Sequence, residues 1–154
     1  MWIINGLRNR LDRENSINLA LDEGNEDDKT KPAYNDTKQG HGSHVAGIIT
    51  QATPEEVQVM AIRVFSALGT ASYATITNAV DYAVEHKADI INMSLGFEIM
   101  SGFENDQITL MDEAFARAFK ANTTVCAASG NEYTDTSKSY PASSPWRSQL
   151  DRLS

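Results

Sequence analysis

The chain has 154 residues, the size of one ordinary domain, and its content of 41% hydrophobic and 22% charged residues excludes a wholly disordered protein. Thirteen lysines and arginines against 21 acidic residues give a net charge of −8, which disfavours nucleic acid and anionic membranes as partners. A single cysteine excludes an intrachain disulfide, and no apolar run approaches the ~18–20 residues that cross a bilayer. The first eight residues lack the features of an export signal.

Composition divides the chain into three parts. Residues 1–38 are a polar, acidic N-terminal segment, and the stretch from 8 to 38 predicts a solvated loop or disorder. Its acidic cluster at residues 22–28 does not reproduce the ligand spacing and turn glycine of calcium-binding loops. Residues 39–145 form a central domain with regular apolar periods. Residues 146–154 are a divergent C-terminal tail, an end typical of a truncation or of a shifted reading frame.

Apolar periodicity in the central domain predicts alternating strands and helices. β-Branched, mostly apolar runs predict strands at residues 57–65, 89–95 and 123–128. Helical spacing predicts helices at residues 72–86 and 106–120, after a first helix-like stretch that begins near residue 40. The apolar faces of the two later helices contain Tyr73, Ile76, Val80, Ala83 and Val84, and Ile108, Met111, Phe115, Ala118 and Phe119. This alternation predicts an α/β fold with a parallel sheet, whose ligands bind at the carboxyl ends of the strands.

The first of three segments that can carry chemistry is Gly-His-Gly-Ser-His-Val-Ala-Gly at residues 40–47. His41 lies between two glycines at a helix start, where an exposed ring can act as a general base, although such a histidine is often structural. A zinc site formed by His41 and His44 lacks a third ligand. A dinucleotide-binding loop is excluded because Val45 stands where the last glycine is needed.

The other two segments follow predicted strands. Asn-Met-Ser-Leu-Gly at residues 92–96 comes near a hydrolase nucleophile elbow, but Asn92 replaces its first glycine and no histidine follows His86, so Ser94 is not predicted to be a nucleophile. Ala-Ala-Ser-Gly-Asn-Glu at residues 127–132 ends a strand with small residues. It predicts either an ordinary Gly-Asn turn or an Asn131 amide aimed at a developing oxyanion.

In this order and spacing, the three segments resemble the subtilisin-like serine proteases, or subtilases. Ala-Ile-Arg-Val-Phe at residues 61–65 and Tyr-Pro-Ala at residues 140–142 also resemble that family, and the resemblance covers residues 40 to about 145. It implies a three-layer α/β fold, here incomplete, with a mostly parallel sheet and helices on both faces. It also implies serine endopeptidase activity. Most relatives are secreted, but this chain begins without a signal, so no compartment is predicted.

The resemblance implies roles for individual residues. His41 is the expected triad general base and Asn131 the expected side-chain oxyanion donor, while His44 is expected to be structural. The implied partner is an extended peptide, which adds to an edge segment as a strand while its main side chain enters a pocket. The expected edge residues are Ser94, Leu95 and Gly96, and the expected pocket residues are Ala128, Ser129 and Gly130. No cofactor is implied. Whether a metal binds stays open, although the short link at residues 51–55 leaves little room for the calcium loop of some relatives.

Two members of the triad have no clear counterpart. In the family the aspartate lies about 32 residues before the histidine and the serine about 157 after it, which from His41 means near residue 9 and beyond Ser154. Near residue 9 the apolar strand with Asp-Ser/Thr-Gly is absent, Asp12 is a poor substitute, and Asn5 stands where a carboxylate is needed. The Gly-Thr-Ser segment of the nucleophile occurs nowhere. We therefore expect a truncated, inactive member of an endopeptidase family.

The main alternative is a non-catalytic pseudoprotease that binds peptides along residues 94–96. A nucleotide-binding α/β module is disfavoured because the phosphate-loop motifs fail. For a parallel sheet, we expect His41 and Asn131 at the same end. We also expect the incomplete domain to expose sheet edges and apolar side chains, including Phe115 and Phe119, and so to be poorly soluble.

Overall fold

The computed structural model describes residues 9–20, 40–66, 68–98, 105–131, 137 and 139–146. The elements within these residues are β1 (Leu11–Asn18), α1 (His41–Ala52), β2 (Val59–Arg63), α2 (Tyr73–Glu85), β3 (Ile90–Met93), β4 (Phe97–Glu98), α3 (Asn105–Lys120), β5 (Thr124–Ala127) and β6 (Ser139–Tyr140). The chain forms two compact units, residues 1–79 and 80–154, and the boundary between them falls within α2. None of the helices in the described ranges is long and apolar enough to cross a membrane.

The first unit is a parallel strand pair, β1 and β2, with α1 between them in the chain. Leu11 lies opposite Val59 at one end of the pair and Asn18 lies opposite Arg63 at the other. The prediction of a solvated loop was therefore wrong for residues 11–18. Apolar periodicity missed this strand because most of its side chains are polar or charged, and none of them is fully buried.

Polar side chains stabilise an irregularity in β1. The register shifts between Asp12 and Ile17, opposite the short stretch around Ala61. The Asp12 carboxylate accepts hydrogen bonds from the Asn15 backbone N–H at 3.1 Å and from Asn15 Nδ2 at 2.8 Å. The Ser16 hydroxyl donates to the Asp12 carbonyl and accepts from the Ala61 N–H at 2.9 Å. A serine side chain thus replaces the backbone acceptor that the bulge moves away from Ala61.

A buried arginine joins the start of β1 to the end of α1. Arg10 is only 7% exposed, and its guanidinium donates to the carbonyl oxygens of Thr50, Thr53 and Val57 and to the Thr53 hydroxyl. The last carbonyls of a helix have no partner within the helix and carry the negative end of its dipole. The Arg10 cation therefore satisfies these acceptors where water has little access.

Replacing Arg10 with Met is expected to lower the free energy of unfolding by about 2–3 kcal/mol, because buried carbonyls lose their charged donor. The matched control is Arg13→Met on β1, where the side chain is exposed and the expected change is within about 0.5 kcal/mol. Urea denaturation of both variants measures the difference. Equal effects would show that Arg10 contributes no more than a surface arginine.

The second unit contains β3 and β5, which pair in parallel and in register from Ile90 opposite Thr124 to Met93 opposite Ala127. The α3 helix lies between them in the chain. This pairing confirms that the strands predicted near residues 89–95 and 123–128 lie parallel. The strand predicted at residues 57–65 is present as β2 in the first unit, and its direction relative to β3 and β5 stays a prediction.

The α2 and α3 helices end alike before the strands that follow them. Lys87 and Asn122 have φ values of 59° and 63°, in the left-handed region. The next residue in each case donates its N–H to a carbonyl five residues back, from Ala88 to Ala83 and from Thr123 to Ala118, both at 2.9 Å. This Schellman ending satisfies the last helical carbonyls and turns the chain sharply into β3 and β5.

One face of α3 contributes four residues to the core of the second unit. Its buried members are Met111, Ala114, Phe115 and Ala118, and the core also contains Val80, Ala83, Met93, Val125 and Tyr140. The predicted exposure of Phe115 was wrong, because the Tyr140 ring covers it at a centroid distance of 6.1 Å. Phe119, by contrast, is 67% exposed, and its ring lies 5.8 Å from that of Trp146.

Candidate active site

His41 is the first residue of α1 and is exposed to solvent. The preceding Gly40 has φ 68°, a left-handed conformation that glycine adopts without steric cost. Its carbonyl accepts the N–H of His44 at 3.0 Å and so begins the helix. His44, also exposed, lies one turn further along the helix. The glycine-rich segment therefore presents the His41 ring at a helix start, where a general base must be accessible.

Two residues, Asp12 and Asn5, were considered for the triad position that requires a carboxylate. The Asp12 carboxylate accepts two hydrogen bonds from Asn15 in the bulge of β1 and so shapes that strand. Asn5 lies outside the described residues. Within the parts of the chain that the structure describes, no three histidine, cysteine or carboxylate side chains are grouped to hold a metal ion.

The predicted edge segment, residues 94–96, links β3 to β4. The Ser94 hydroxyl accepts a hydrogen bond from Asn92 Nδ2 at 3.0 Å. Immediately after the segment, β4 pairs antiparallel with β6, with Phe97 opposite Tyr140. A Cβ atom on Gly96 would lie 3.2 Å from the Tyr140 carbonyl oxygen, which is closer than a side chain ordinarily comes. The edge segment is therefore held between β3 and the β4–β6 pair, and glycine allows the close approach.

The predicted pocket segment, residues 128–130, leaves β5 in the same way as residues 94–96 leave β3. Met93 and Ala127 are register partners, and the Ala128 N–H donates to the Met93 carbonyl at 3.2 Å. The two segments thus emerge side by side at the carboxyl edge of one parallel strand pair, where ligands bind in α/β proteins. Residues 128–130 and the following Asn131 are exposed. Gly130 has φ 97°, a conformation that favours glycine.

A cluster of side chains that the sequence analysis did not identify includes Tyr140, which lies next to this edge. The Tyr140 hydroxyl donates to Asp112 Oδ1 at 2.7 Å, and the Ser144 hydroxyl donates to the same oxygen. Tyr140 and Ser144 are almost completely buried. Because Asp112 and Tyr140 are 28 residues apart in the chain, no local motif connects them. The Tyr-Pro-Ala segment pointed only to a family, not to this contact.

The environment of Tyr140 raises the pKa of its hydroxyl far above that of a free tyrosine. Burial makes the largest contribution, and the hydrogen bond to Asp112 and the negative charge of that carboxylate add to it. All three disfavour a buried phenolate. Tyr140 therefore stays neutral and keeps donating to Asp112 well into the alkaline range.

His41 and Asn131 belong to different compact units. Their expected location at the same end of one sheet stays a prediction. What the structure brings together is the pair of segments at residues 94–96 and 128–130, with Asn131 following directly on the second.

Comparisons with known proteins agree with the motifs. Residues 6–148 match the sequence model of the subtilase family. Subtilisin DY from Bacillus licheniformis is 31% identical over an alignment of 121 residues, and the match covers 71% of this chain and 42% of that protein. The major intracellular serine protease of Bacillus subtilis (strain 168) is 33% identical over an alignment of 124 residues, and the match covers 75% of this chain and 35% of that protein.

A solved structure shows the same fold. The crystal structure of a lanthipeptide protease matches 83% of this chain and 35% of its own with a TM-score of 0.69, at 24% sequence identity. At this identity the likeness concerns the fold alone, and it confirms the predicted α/β class with a subtilisin-like arrangement. The chain spans less than half the length of the curated relatives described above.

The raised pKa of Tyr140 predicts a loss of stability in alkaline solution. Below pH 10 the hydroxyl is neutral in both the folded and the unfolded chain, so its contribution to stability is complete. Above pH 10 only the unfolded chain ionises there, and Tyr140 lowers the free energy of unfolding by up to about 1.4 kcal/mol per pH unit. Tyr140→Phe is expected to remove this part of the slope. Urea denaturation at pH 9, 10 and 11 measures it, and equal slopes in both proteins would contradict the assignment.

Proposed function

The chain belongs to the subtilase family of serine proteases, and from this premise we propose that it serves serine-type hydrolysis of peptide bonds. His41 acts as the general base and Asn131 as the oxyanion donor. The observation that supports this best is the shared origin of residues 94–96 and 128–131 at the carboxyl edge of β3 and β5. Such an edge offers backbone groups, a pocket and a side-chain amide to one bound peptide.

The substrate is an extended segment of a peptide or protein. Its backbone pairs with residues 94–96 as an added strand, and its main specificity side chain enters between that segment and residues 128–130. Adjacent strands lie about 4.8 Å apart, so a peptide on one segment is within reach of side-chain contacts from the other. Gly130 carries no side chain that could obstruct the approach of a peptide backbone.

In the chemical step, His41 takes the proton of a serine hydroxyl as its oxygen attacks the carbonyl carbon of the peptide bond. The Asn131 amide donates a hydrogen bond to the carbonyl oxygen as negative charge develops on it. His41 then returns the proton to the leaving amine.

We propose that residues 1–154 by themselves do not catalyse this reaction. Ser94 does not supply the nucleophile in this scheme, because its hydroxyl accepts the Asn92 amide and no histidine follows His86. The carboxylate that orients the base has no assigned residue either. Peptide binding, in contrast, requires only residues of the second unit.

A non-catalytic peptide-binding pseudoprotease is the second candidate. It is favoured by one observation: the edge segment and its pairing through β4 with β6 belong to one compact unit, whereas His41 belongs to the other. The sequence encoded after Ser154 discriminates the two candidates. A Gly-Thr-Ser-Met-like segment nearby in another reading frame favours a truncated protease, whereas its absence favours the binder.

Residues 1–154 are expected not to react with a fluorophosphonate probe, because the sequence contains no Gly-Thr-Ser nucleophile segment and no histidine follows Ser94. Mass spectrometry of the intact protein after incubation detects the adduct, and a complete subtilisin treated in parallel is the positive control. Labelling that disappears in Ser94→Ala would make Ser94 a nucleophile and would overturn the proposed roles.

A chain completed with the serine-bearing and aspartate-bearing segments of a relative is expected to hydrolyse peptides, and His41→Ala is expected to abolish the activity. Asn131→Ala should lower kcat by roughly 10²–10³ with less effect on KM, the range known for loss of this donor in subtilisin, because the amide acts mainly on the transition state. Asn78→Ala on the exposed surface of α2 is the matched control. An unchanged kcat in Asn131→Ala would refute the oxyanion role while leaving that of His41 intact.

A further inference from the structure

We infer that Asp112 is a positioning residue for the peptide-binding edge and acts on it through Tyr140. The inference rests on the proposed function, since it assumes that an extended peptide binds along residues 94–96. We name the cluster of Asp112, Tyr140 and Ser144 the β6 anchor. Of these three residues, only Tyr140, in Tyr-Pro-Ala, belongs to a motif that resembles the family.

The anchor fixes β6 to a long, regular helix. Asp112 lies in the middle of α3, and its Oδ1 atom accepts the hydroxyls of both Tyr140 and Ser144. Backbone hydrogen bonds from Ser143 to Ser139 and from Ser144 to Pro141 close the turn that carries these hydroxyls. One carboxylate oxygen thus ties both ends of that turn to the helix. Bonds to a charged acceptor are stronger than those between neutral groups.

The contact continues from Tyr140 to the edge segment. The Tyr140 ring lies 5.4 Å from that of Phe97 and 6.1 Å from that of Phe115, measured between centroids, so it connects β4 with α3. Its backbone faces Phe97 across the antiparallel pair. Its carbonyl oxygen approaches Gly96 so closely that a Cβ atom there would lie 3.2 Å away. Tyr140 therefore bounds the edge segment at its C-terminal end.

Such a boundary matters because β4 and β6 have only two residues each, and an isolated two-stranded pair of this kind is marginally stable in water. A peptide that pairs with a disordered edge must first order it, which weakens binding. An edge held by β3 on one side and by the β6 anchor on the other is ordered before the peptide arrives. Asp112 is thus expected to govern peptide affinity without contacting the peptide.

Amide hydrogen exchange tests the anchor independently of any peptide. Asp112→Ala and Tyr140→Phe are expected to speed exchange at residues 97 and 98 at least about tenfold more than at residues 91–93 and 125–127, which report on the parallel pair. Asp112→Asn, which keeps the acceptor oxygen without its charge, is expected to have an intermediate effect. Glu113→Gln removes the same charge from an exposed neighbour on α3 and is expected to change nothing. Uniform acceleration in all segments would overturn the inference, because Asp112 would then be merely structural.

Peptide affinity provides the second measurement. Fluorescence anisotropy with a capped, fluorescein-labelled octapeptide of Ala, Leu, Phe and one Lys is expected to show about five- to tenfold weaker binding to Tyr140→Phe than to the unsubstituted chain or Glu113→Gln. Equal affinities would overturn the positioning role. If the unsubstituted chain binds no peptide, the proposed peptide site fails and with it the role of Asp112 in binding. The exchange data would then still decide whether Asp112 orders residues 97 and 98.

Discussion

Parallel, in-register pairing of β3 with β5 determines where the proposed peptide contacts of the second unit lie. Because Met93 and Ala127 are partners, the chain leaves both strands at the same edge, and the hydrogen bond from Ala128 to Met93 extends the pairing by one residue. A slip of one residue would turn each side chain to the opposite face of the sheet. The burial of Met93 and Val125 opposes such a slip, since it would move these apolar side chains out of the core.

Residues 94–96 are also next to a cluster of hydrogen bonds centred on the Asp112 carboxylate. Hydroxyls of Tyr140 and Ser144 converge on one oxygen of Asp112, and the aromatic rings of Phe97 and Phe115 lie near Tyr140. Leaving any of these polar groups without a partner in a buried position would cost free energy. The cluster therefore couples a regular helix to two very short strands, which have little stability of their own.

In the first unit, too, polar side chains form the hydrogen bonds that stabilise the ends and irregularities of helices and strands. Arg10 donates to carbonyls at and beyond the end of α1, and Ser16 accepts the N–H of Ala61 where β1 departs from regular pairing. Each polar side chain forms a hydrogen bond with a backbone group that would otherwise have no partner in the local geometry. His41 stands at the opposite end of α1 from these contacts, so the helix that presents the proposed base is secured at its far end.

The local sequence was sufficient to predict α2 and α3, because their apolar residues recur with the helical period. The buried faces of the two helices include Val80, Ala83, Met111 and Ala118. The local sequence was also sufficient for β3 and β5, whose β-branched residues favour extended chain, and for the glycine-rich motifs, whose order identified the family. It was insufficient for β1, because polar residues such as Asp12 and Ser16 resemble a loop until their partners on β2 are known. Only the tertiary structure determined that Phe115 is covered and that Tyr140 meets Asp112, because those contacts join residues distant in the chain and depend on how the helix and strands pack.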